Sequence, residues 1–463
     1  MFAPSQIIIT MNQYQIVLFG AGKSASVLID FLKQKATEKN WKIVIADANE
    51  QVAKEKVGHH DLVEARGISL EHESERKALV SAAEVVISLM PPHLHRLLAL
   101  DCLELGKHLL TASYLDSEIR NLSEAVQAKD ILFLYEMGLD PGIDHMSAMQ
   151  LIHHIQSAGG VIHGFHSHCG GLVAPESDNN PWHYKISWNP RNILLAGKAG
   201  AIFKSDNSII QTDYEKLFDA NQLVAVPGMG DYGWYANRDS LSYIPTYHLE
   251  TVQDFMRTTL RHPNFIKGWK CITAWKLTDE EKRIQSDGLS YAEFFQTYIN
   301  QHGTARWKAI VENPEQAMLS DDEDIVWKQL LFLGIQDNKL INKGETTAAD
   351  ILQSILENKL ALSPEDKDMI IMLHEIKYRK DDKEHEIKSS LVVKGSDSIH
   401  TAMAKTVGLP LGIAASLLLE GKIKERGVHI PAVEGIYNPV LKELENHDIS
   451  FQEIDIEWEV SEH

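Results

Sequence analysis

The feature that most constrains the fold is an apolar stretch that ends at a glycine-rich turn and continues as a helical pattern. Tyr14–Phe19 has the composition of a buried strand and is followed by the turn Gly20-Ala21-Gly22-Lys23-Ser24-Ala25. Apolar residues then recur at helical spacing at Val27, Leu28, Phe31 and Leu32. In such a unit the first glycine permits the tight turn, the second lets the backbone approach a pyrophosphate, and a small third residue lets the helix pack on the strand. The pattern predicts a dinucleotide-binding unit, with an ordinary strand-to-helix turn as the alternative.

An acidic residue follows the second predicted strand. Asp47 comes directly after the strand at residues 42–46 and 22 residues after Ala25. A carboxylate at this spacing accepts hydrogen bonds from the adenosine ribose and repels a 2′-phosphate. We therefore expect NAD as the cofactor, with NADP as the alternative. The plainer interpretation is that Asp47 only begins the turn Asp-Ala-Asn.

Strands and helices continue to alternate beyond Asp47. Further strands are predicted at residues 85–89, 108–111 and 131–135, which indicates a doubly wound α/β sheet of the Rossmann type. Ligands bind outside the carboxyl ends of such strands, so Ser113, Tyr114 and Asp140 become site candidates. Asp140 has a structural alternative as the N-cap of the next helix, with Pro141 at its first position.

Composition excludes several classes of partner. Lys and Arg number 45 against 65 Asp and Glu, a net charge of −20 that disfavours nucleic acid and anionic membranes. The three cysteines are widely spaced, and no apolar run approaches the roughly 20 residues of a membrane helix. Residues 1–13 lack a signal-peptide pattern, and residues 1–10 read as a short extension. We expect a cytoplasmic protein that acts on a small molecule.

Longer motifs identify a family. They are TASY from Thr111, LDPGIDHMSAM from Leu139, CGGLVAPESDNNPWHYKISW from Cys169, NRDS from Asn237, TLR from Thr259, DMIIM from Asp368 and SIHTAMAKTVGLPLGIAASLLLEGKIKERGV from Ser398. In this order they resemble saccharopine dehydrogenases of the glutamate-forming type and the dehydrogenase half of the bifunctional lysine-degrading enzyme. The resemblance spans nearly the whole chain.

The resemblance implies reversible hydride transfer between a nicotinamide cofactor and the secondary amine of saccharopine, with hydrolysis of the imine to L-glutamate and 2-aminoadipate 6-semialdehyde. It implies that the substrate contacts Tyr114, Asp140, Arg238, Thr259, Leu260 and Arg261. It also implies that the cofactor, besides Gly20–Ser24 and Asp47, contacts Ser113, Leu139, Asp140 and Pro141. Arginines suit this substrate because guanidinium groups bind carboxylates bidentately, although a surface salt bridge remains the alternative for Arg238.

The reaction needs one group to take the amine proton and another to activate water. Asp140 and Tyr114 are the candidates, and the sequence leaves open which does which. Cys169 is a weaker candidate because nothing in the sequence indicates a lowered pKa of its thiol, and a buried small residue is the favoured interpretation.

Histidines form a second pattern. His166 and His168 would share one face of a strand, as metal ligands can, but two further ligands would be needed. The resembling family has other residue types there and no metal, so we expect none. His93 and His95 are expected at the surface or in a cofactor loop.

The predicted architecture has three parts. Residues 1–136 form the Rossmann domain, to which residues 437–463 return; residues 137–254 and 363–436 form a mixed-sheet α/β domain for substrate and dimerisation; residues 255–362 form an all-helical insert. The resemblance also implies a homodimer. Two other functions stay open: an imine reductase like carboxynorspermidine synthase, and a nucleotide-binding protein without catalysis.

Overall fold

A computed structural model describes residues 14–219 and 222–459. The predicted N-terminal extension, residues 1–10, lies outside the described residues.

Strands and helices alternate along the first third of the chain. In order they are β1 (Tyr14–Phe19), α1 (Ser26–Lys39), β2 (Ile43–Asp47), α2 (Glu50–Val57), β3 (Val63–Gly67), α3 (Glu73–Ala82), β4 (Ala83–Ser88), α4 (Pro92–Leu105), β5 (His108–Thr111), α5 (Ser117–Arg120), α6 (Ser123–Ala128), β6 (Leu132–Leu134) and α7 (Ile143–Ser157).

The middle of the chain has long strands at both ends and a run of helices between them. Its elements are β7 (Val161–Val173), α8 (Arg191–Leu195), β8 (Ala201–Ser205), β9 (Ser208–Thr212), β10 (Gln222–Val226), β11 (Gly230–Ala236), β12 (Arg238–Asp239), β13 (Asp254–Arg261), α9 (Pro263–Ala274), β14 (Arg283–Gln285), α10 (Tyr291–His302), α11 (Ala305–Glu312), α12 (Asp321–Leu333), β15 (Glu345–Thr347), α13 (Ala348–Lys359), β16 (Asp368–Lys380) and β17 (Lys383–Lys394). The chain ends with α14 (Ala402–Leu419), β18 (Gly427–His429), α15 (Glu434–Glu445) and β19 (Gln452–Glu459).

The described residues divide into two compact units. The first unit comprises residues 14–154 and 403–450, and the second comprises residues 155–402 and 451–459.

The first unit is built on a parallel sheet. Its strand order is β18-β6-β5-β4-β1-β2-β3, which is the doubly wound order extended by β18 at one edge. The order reverses between β1 and β4, and at such a reversal the carboxyl ends of the strands leave a crevice for a ligand. The predicted Rossmann-type sheet is confirmed.

The second unit is built on a mixed sheet. Along its main path the order is β10-β11-β13-β7-β16-β17-β19, with β7 parallel to β13 and antiparallel to β16. The helices between β13 and β16 enclose an apolar cluster whose largest members include Trp182, Trp269 and Trp275. Capping boxes at Ser290 and Ser320 fix the starts of α10 and α12.

The structure differs from the predicted boundary after residue 402. Residues 403–436 were expected in the substrate domain but lie in the first unit. Gly408 and Gly412 explain this, because a Cβ at these positions would lie 3.0 Å from Leu28 Cβ and 2.6 Å from Phe31 Cδ1, so α14 lies directly against α1. In addition, β18 pairs in parallel with β6. Residues 137–154 also belong to the first unit.

Two other boundaries differ. The described part of residues 451–463, expected to return to the Rossmann domain, contains β19, which pairs antiparallel with β17 in the second unit. The predicted all-helical insert at residues 255–362 begins with a strand, because β13 pairs with β7 and β11. Its helices start at Pro263, and the short pair β14–β15 lies among them.

One helix within the described ranges, α14, is long and apolar enough to cross a membrane by length and composition. Because 83% of its apolar window is buried within the protein, it packs as a core helix.

The buried ion pair between α3 and α4 generates a prediction. Arg76 Nε lies 2.5 Å from Asp101 Oδ2, with both side chains less than a tenth exposed. Asp101→Asn should lower the stability of these helices by about 3–5 kcal/mol, because it leaves a buried guanidinium uncompensated. Hydrogen exchange of the α3 and α4 amides measures this loss. The control is Glu104→Gln, which removes the exposed pair with Lys77 between the same helices and should have little effect. Equal losses in the two variants would contradict the argument.

Candidate active site

The glycine turn lies at the carboxyl end of β1. Gly20 has a φ of +104°, and a Cβ there would lie 3.0 Å from the Leu89 carbonyl oxygen, so the turn passes close to the end of β4. A Cβ at Gly22 would meet nothing within 4 Å. The backbone of the turn is therefore open on one side and ends in the helical turn that leads into α1. This arrangement fits a pyrophosphate.

The predicted ribose-binding residue is fixed against this turn. Asp47 Oδ2 accepts a hydrogen bond of 2.7 Å from the Ala21 amide, and Oδ1 accepts one of 2.8 Å from the Asn49 amide. The carboxylate is half-buried. Both oxygens thus have a backbone donor, and the negative charge lies beside the glycine turn.

A lysine that the sequence analysis did not identify also binds the turn. Lys56 Nζ, on α2, donates to the Gly22 carbonyl and, at 2.9 Å, to Ser26 Oγ. Burial lowers the pKa of this lysine, while Asp47 and Asp30 act in the opposite direction. A single lysine in an amphipathic helix gives no signal of this contact in the sequence.

His95 connects the ends of two strands. Its Nδ1 lies 2.8 Å from Ser88 Oγ and its Nε2 lies 2.6 Å from Ser113 Oγ. His95 is buried, so the expectation of a surface or loop position is wrong for this residue, whereas His93 is exposed. Desolvation lowers the pKa of His95 to about 4, so the ring is neutral at neutral pH. It holds Ser113 in place through one ring nitrogen.

Glu136 fixes the backbone on both sides of Tyr114. Its amide donates to the Ser113 carbonyl at 3.0 Å, and its Oε1 accepts from the Leu115 amide at 3.0 Å. The second carboxylate oxygen lies 2.8 Å from His145 Nε2 on α7. Glu136 is buried and has a φ of +55°, a conformation rarely adopted outside glycine and asparagine. This positioning residue was also missed by the sequence analysis, although it directly follows a predicted strand.

Asp140 lies in a closed loop between β6 and α7. The Gly138 amide donates to the Pro141 carbonyl, and the Ile143 amide donates to the Gly138 carbonyl. Gly142 has a φ of +149°, and a Cβ there would collide with Gly138, so only glycine fits. Leu139 and Pro141 are buried, while Asp140 is half-buried.

The structure excludes the simple capping interpretation of Asp140. Helix α7 begins at Ile143, two residues after Pro141, and the Gly142 amide donates to Asp144 Oδ1 at 2.6 Å. Pro141 is therefore not the first helical residue, and Asp140 is presented by the loop itself.

In the second unit, Arg261 is a buried cation. It is 4% exposed at the end of β13, and its guanidinium carbon lies 5.4 Å from the Tyr184 ring centre and 5.6 Å from that of Phe265. Nη1 donates to the Leu260 carbonyl at 2.8 Å. Among the described residues, Nε has no hydrogen-bond partner and no carboxylate forms an ion pair with Arg261. A buried guanidinium without a counter-charge is suited to bind an anion.

The neighbouring candidates differ in orientation. Thr259 alternates with Leu260 along β13, and the Leu260 side chain is buried in an apolar cluster with Leu172 and Ile371. The Leu260 side chain therefore points away from the face that carries Thr259, and only the Leu260 backbone could contact a substrate there. This revises the expectation that Leu260 contacts the substrate. Cys169 is opposite Thr259 on β7, buried and outside any disulfide.

Arg238 differs from Arg261 in its exposure. It is exposed in β12 and has a φ of +49°, a left-handed conformation that is costly for a residue with a Cβ. The adjacent Asn237 amide donates to the Arg257 carbonyl at 2.8 Å, which fixes the start of this segment.

The predicted site residues thus fall into two groups. In the first unit, His95 and Glu136 fix Ser113 and Tyr114, and the glycine turn binds Asp47. The group in the first unit is Gly20, Ala21, Gly22, Lys23, Ser24, Asp47, Ser113, Tyr114, Leu139, Asp140 and Pro141. The group in the second unit is Arg238, Thr259, Leu260 and Arg261.

Two family models match the chain. The saccharopine dehydrogenase NADP binding domain matches residues 16–134, and the saccharopine dehydrogenase C-terminal domain matches residues 138–449.

Relatives match over most of the chain. An alpha-aminoadipic semialdehyde synthase of Arabidopsis thaliana is 31% identical over 95% of the chain, which spans 44% of the plant protein. Saccharopine dehydrogenase (NADP(+), L-glutamate-forming) is 30% identical in Pyricularia oryzae, over 94% of the chain and 97% of the relative. The enzyme of that name in Saccharomyces cerevisiae is 30% identical over 93% of the chain and 96% of the relative.

A solved structure shares the fold. The apo saccharopine dehydrogenase (L-Glu forming) from Saccharomyces cerevisiae matches with a TM-score of 0.86 and 27% identity, over 96% of this chain and 100% of that one. Matched family models, similarity along the chain and a common fold show that this protein belongs to the saccharopine dehydrogenase family of nicotinamide-dependent oxidoreductases.

Proposed function

We propose that this chain is an NAD-linked saccharopine dehydrogenase of the L-glutamate-forming type that acts in lysine metabolism. The observation that carries the proposal is the buried guanidinium of Arg261, whose Nε has no partner within the described ranges. Saccharopine has three carboxylates, and a buried arginine without a counter-ion supplies the bidentate donor that one of them needs. The names of the fungal relatives support the same reaction.

The end of β1 fits the coenzyme. The open side of Gly22 leaves room for the pyrophosphate, and Asp47, beside the same turn, would accept hydrogen bonds from the ribose. Ser113, Leu139 and Pro141 would line the nicotinamide half. The bound nicotinamide would accept hydride from the carbon beside the secondary amine of saccharopine. In the hydrolysis that follows, water adds to the imine carbon and the carbon–nitrogen bond then breaks to release glutamate, while side chains of the protein bind the substrate and transfer the protons.

Asp140 and Tyr114 are the groups proposed for proton transfer. Both are half-buried and lie on rigid backbone: Asp140 in the closed Gly138–Gly142 loop, and Tyr114 between two hydrogen bonds to Glu136. A fixed base can take the amine proton, and a fixed acid–base group can activate the water that attacks the imine. Either residue can serve in either step.

The preference for NAD rests on Asp47. A 2′-phosphate would approach a carboxylate that is already fixed beside the turn, which is unfavourable. The fungal relatives are named as NADP(+)-dependent enzymes. The proposed preference for NAD is therefore a difference between this chain and those relatives.

The first prediction from the proposed function concerns Arg261. The purified chain should form reduced coenzyme in a saccharopine-dependent manner, and Arg261→Lys should lower kcat/KM for saccharopine by about 100-fold or more, since a buried charge-assisted contact is lost. The loss should appear mainly in KM for saccharopine, because Lys cannot bind a carboxylate bidentately. Steady-state absorbance of the reduced coenzyme measures it. Arg283→Lys, an exposed arginine of the same unit, is the control.

Three results would count against this proposal. No turnover of saccharopine with either coenzyme at neutral or alkaline pH would exclude the reaction. Reductive coupling of an aminoaldehyde to a diamine, in place of saccharopine turnover, would identify the carboxynorspermidine synthase-like alternative. Coenzyme binding without turnover of any such amine would identify a nucleotide-binding protein without catalysis.

The second prediction concerns coenzyme choice. Asp47→Asn keeps an oxygen that accepts from the Ala21 amide but removes the charge, so kcat/KM with NADP relative to NAD should rise by about tenfold or more. Glu55→Gln, an exposed acid on α2, should leave the ratio unchanged. If the ratio of kcat/KM with NADP to that with NAD were unchanged in Asp47→Asn, a residue other than Asp47 would determine the coenzyme preference.

We also propose a homodimer, which the apolar face of β19 supports. This outermost strand of its sheet carries Ile454, Ile456 and Trp458, each more than 40% exposed. Exposed apolar residues on an edge strand favour contact with another chain. Ile456→Glu should shift the sedimentation coefficient towards that of a monomer, whereas Ile399→Glu, at an exposed apolar residue outside any strand, should not. A monomeric unsubstituted chain would refute the proposal.

We propose a cytoplasmic location on the basis of the cysteines. Cys102, Cys169 and Cys271 form no disulfide, which suits a reducing compartment. A fluorescent fusion in the source cell checks the location.

A further inference from the structure

Three side chains converge on one face of the second unit's sheet. His166 and His168 lie two residues apart on β7, and Glu375 lies opposite His166 on β16. One ligand atom of each residue lies within 4.8 Å of the others. The sequence pattern indicated only the two histidines as metal ligands, because Glu375 follows His168 by 207 residues.

We propose that His166, His168 and Glu375 bind a divalent transition-metal ion such as Zn²⁺, with water completing the coordination. Two imidazoles and one carboxylate are ligands that zinc and its neighbours accept, whereas Mg²⁺ and Ca²⁺ require oxygen ligands. The proposal is independent of the catalytic function.

The spacing of two of the ligands fits such an ion. His168 Nε2 lies 3.2 Å from Glu375 Oε2. Tetrahedral zinc with bonds of about 2.0–2.1 Å places neighbouring ligand atoms roughly 3.3 Å apart. An ion between these two atoms therefore needs no movement of the strands. His166 makes no hydrogen bond within residues 14–219 and 222–459 and is only half-buried, so its ring can turn to complete the set.

The surrounding groups orient the ligands. His168 Nδ1 lies 2.7 Å from Thr258 Oγ1, so with an ion at Nε2 the Nδ1 hydrogen would be donated to the threonine hydroxyl. Lys388 Nζ donates to Glu375 Oε1 at 2.6 Å and leaves Oε2 facing His168. Such outer contacts, which fix a histidine tautomer and a carboxylate rotamer, are typical of metal sites.

The location indicates a structural role. His166 and His168 alternate along β7 with Ser167 and Cys169, and Thr258 alternates with Thr259 and Arg261 along β13. The cluster therefore lies on the sheet face opposite to Thr259 and Arg261. An ion there would link β7 to β16 without contacting the proposed substrate groups.

The experiment is a zinc titration of the full chain without a polyhistidine tag, after removal of metals with a chelator. We expect one equivalent of Zn²⁺ to bind by calorimetry and to raise the melting temperature. His166→Ala and Glu375→Gln should each weaken binding by at least about 100-fold, and Thr258→Val by about 10- to 100-fold. Mg²⁺ should give no such shift.

His163→Ala is the matched control. His163 lies on the same strand and pairs with Glu384 at 2.8 Å, but it belongs to no group of three ligands in the described part of the chain. It should bind zinc like the unsubstituted chain. The proposal fails if the unsubstituted chain binds no zinc, if Mg²⁺ produces the same shift, or if His166→Ala binds zinc as tightly as His163→Ala. Since His166 is half-exposed, this comparison decides the question even if Glu375→Gln does not fold.

Discussion

The pairing of β7 with its two neighbours is the constraint on which the second unit depends. β7 runs parallel to β13 and antiparallel to β16, so residues near 165, 258 and 375 become adjacent. Helices α9–α13 are an excursion that leaves this sheet after β13 and returns to it at β16. Because successive side chains of β7 point to opposite faces of the sheet, Cys169 lies on one face and His166 and His168 lie on the other. Both proposed sites of this unit follow from one set of strand contacts.

Local patterns predicted the parts of the fold that are local. The run from Tyr14 through the glycine turn to Phe31 specifies strand, turn and helix within about 20 residues, and the alternation of further strands and helices indicated a doubly wound sheet. The long-range assignments were less successful. The close contact of Gly408 and Gly412 with α1 places α14 in the first unit, and glycines within a helical pattern do not show which partner they approach. The spacing of apolar residues also gives no indication that β19 pairs with β17.

The candidate site residues were named from the resemblance, whereas the groups that hold them in place could not be predicted from the sequence. Resemblance named Tyr114, Asp140 and Arg261, and the structure shows what fixes the first two. Glu136 directly follows a strand in the sequence, yet its role depends on hydrogen bonds to residues 113 and 115 and on a left-handed backbone. Propensity gives no indication of such a conformation in a glutamate, because tertiary contacts stabilise it.

Two buried arginines differ in how their charge is compensated. Arg76 and Arg261 are about equally buried, at 6% and 4% exposure. Arg76 is compensated by Asp101, whereas the aromatic rings of Tyr184 and Phe265 are the partners of Arg261. Cation–π contacts of this kind contribute about 0.5–2 kcal/mol, less than the several kcal/mol that desolvation of an ion costs. In a chain with a net charge of −20, a carboxylate partner would have been easily available. The lack of a carboxylate partner for Arg261 among the described residues is the observation on which its proposed role in binding a substrate carboxylate rests.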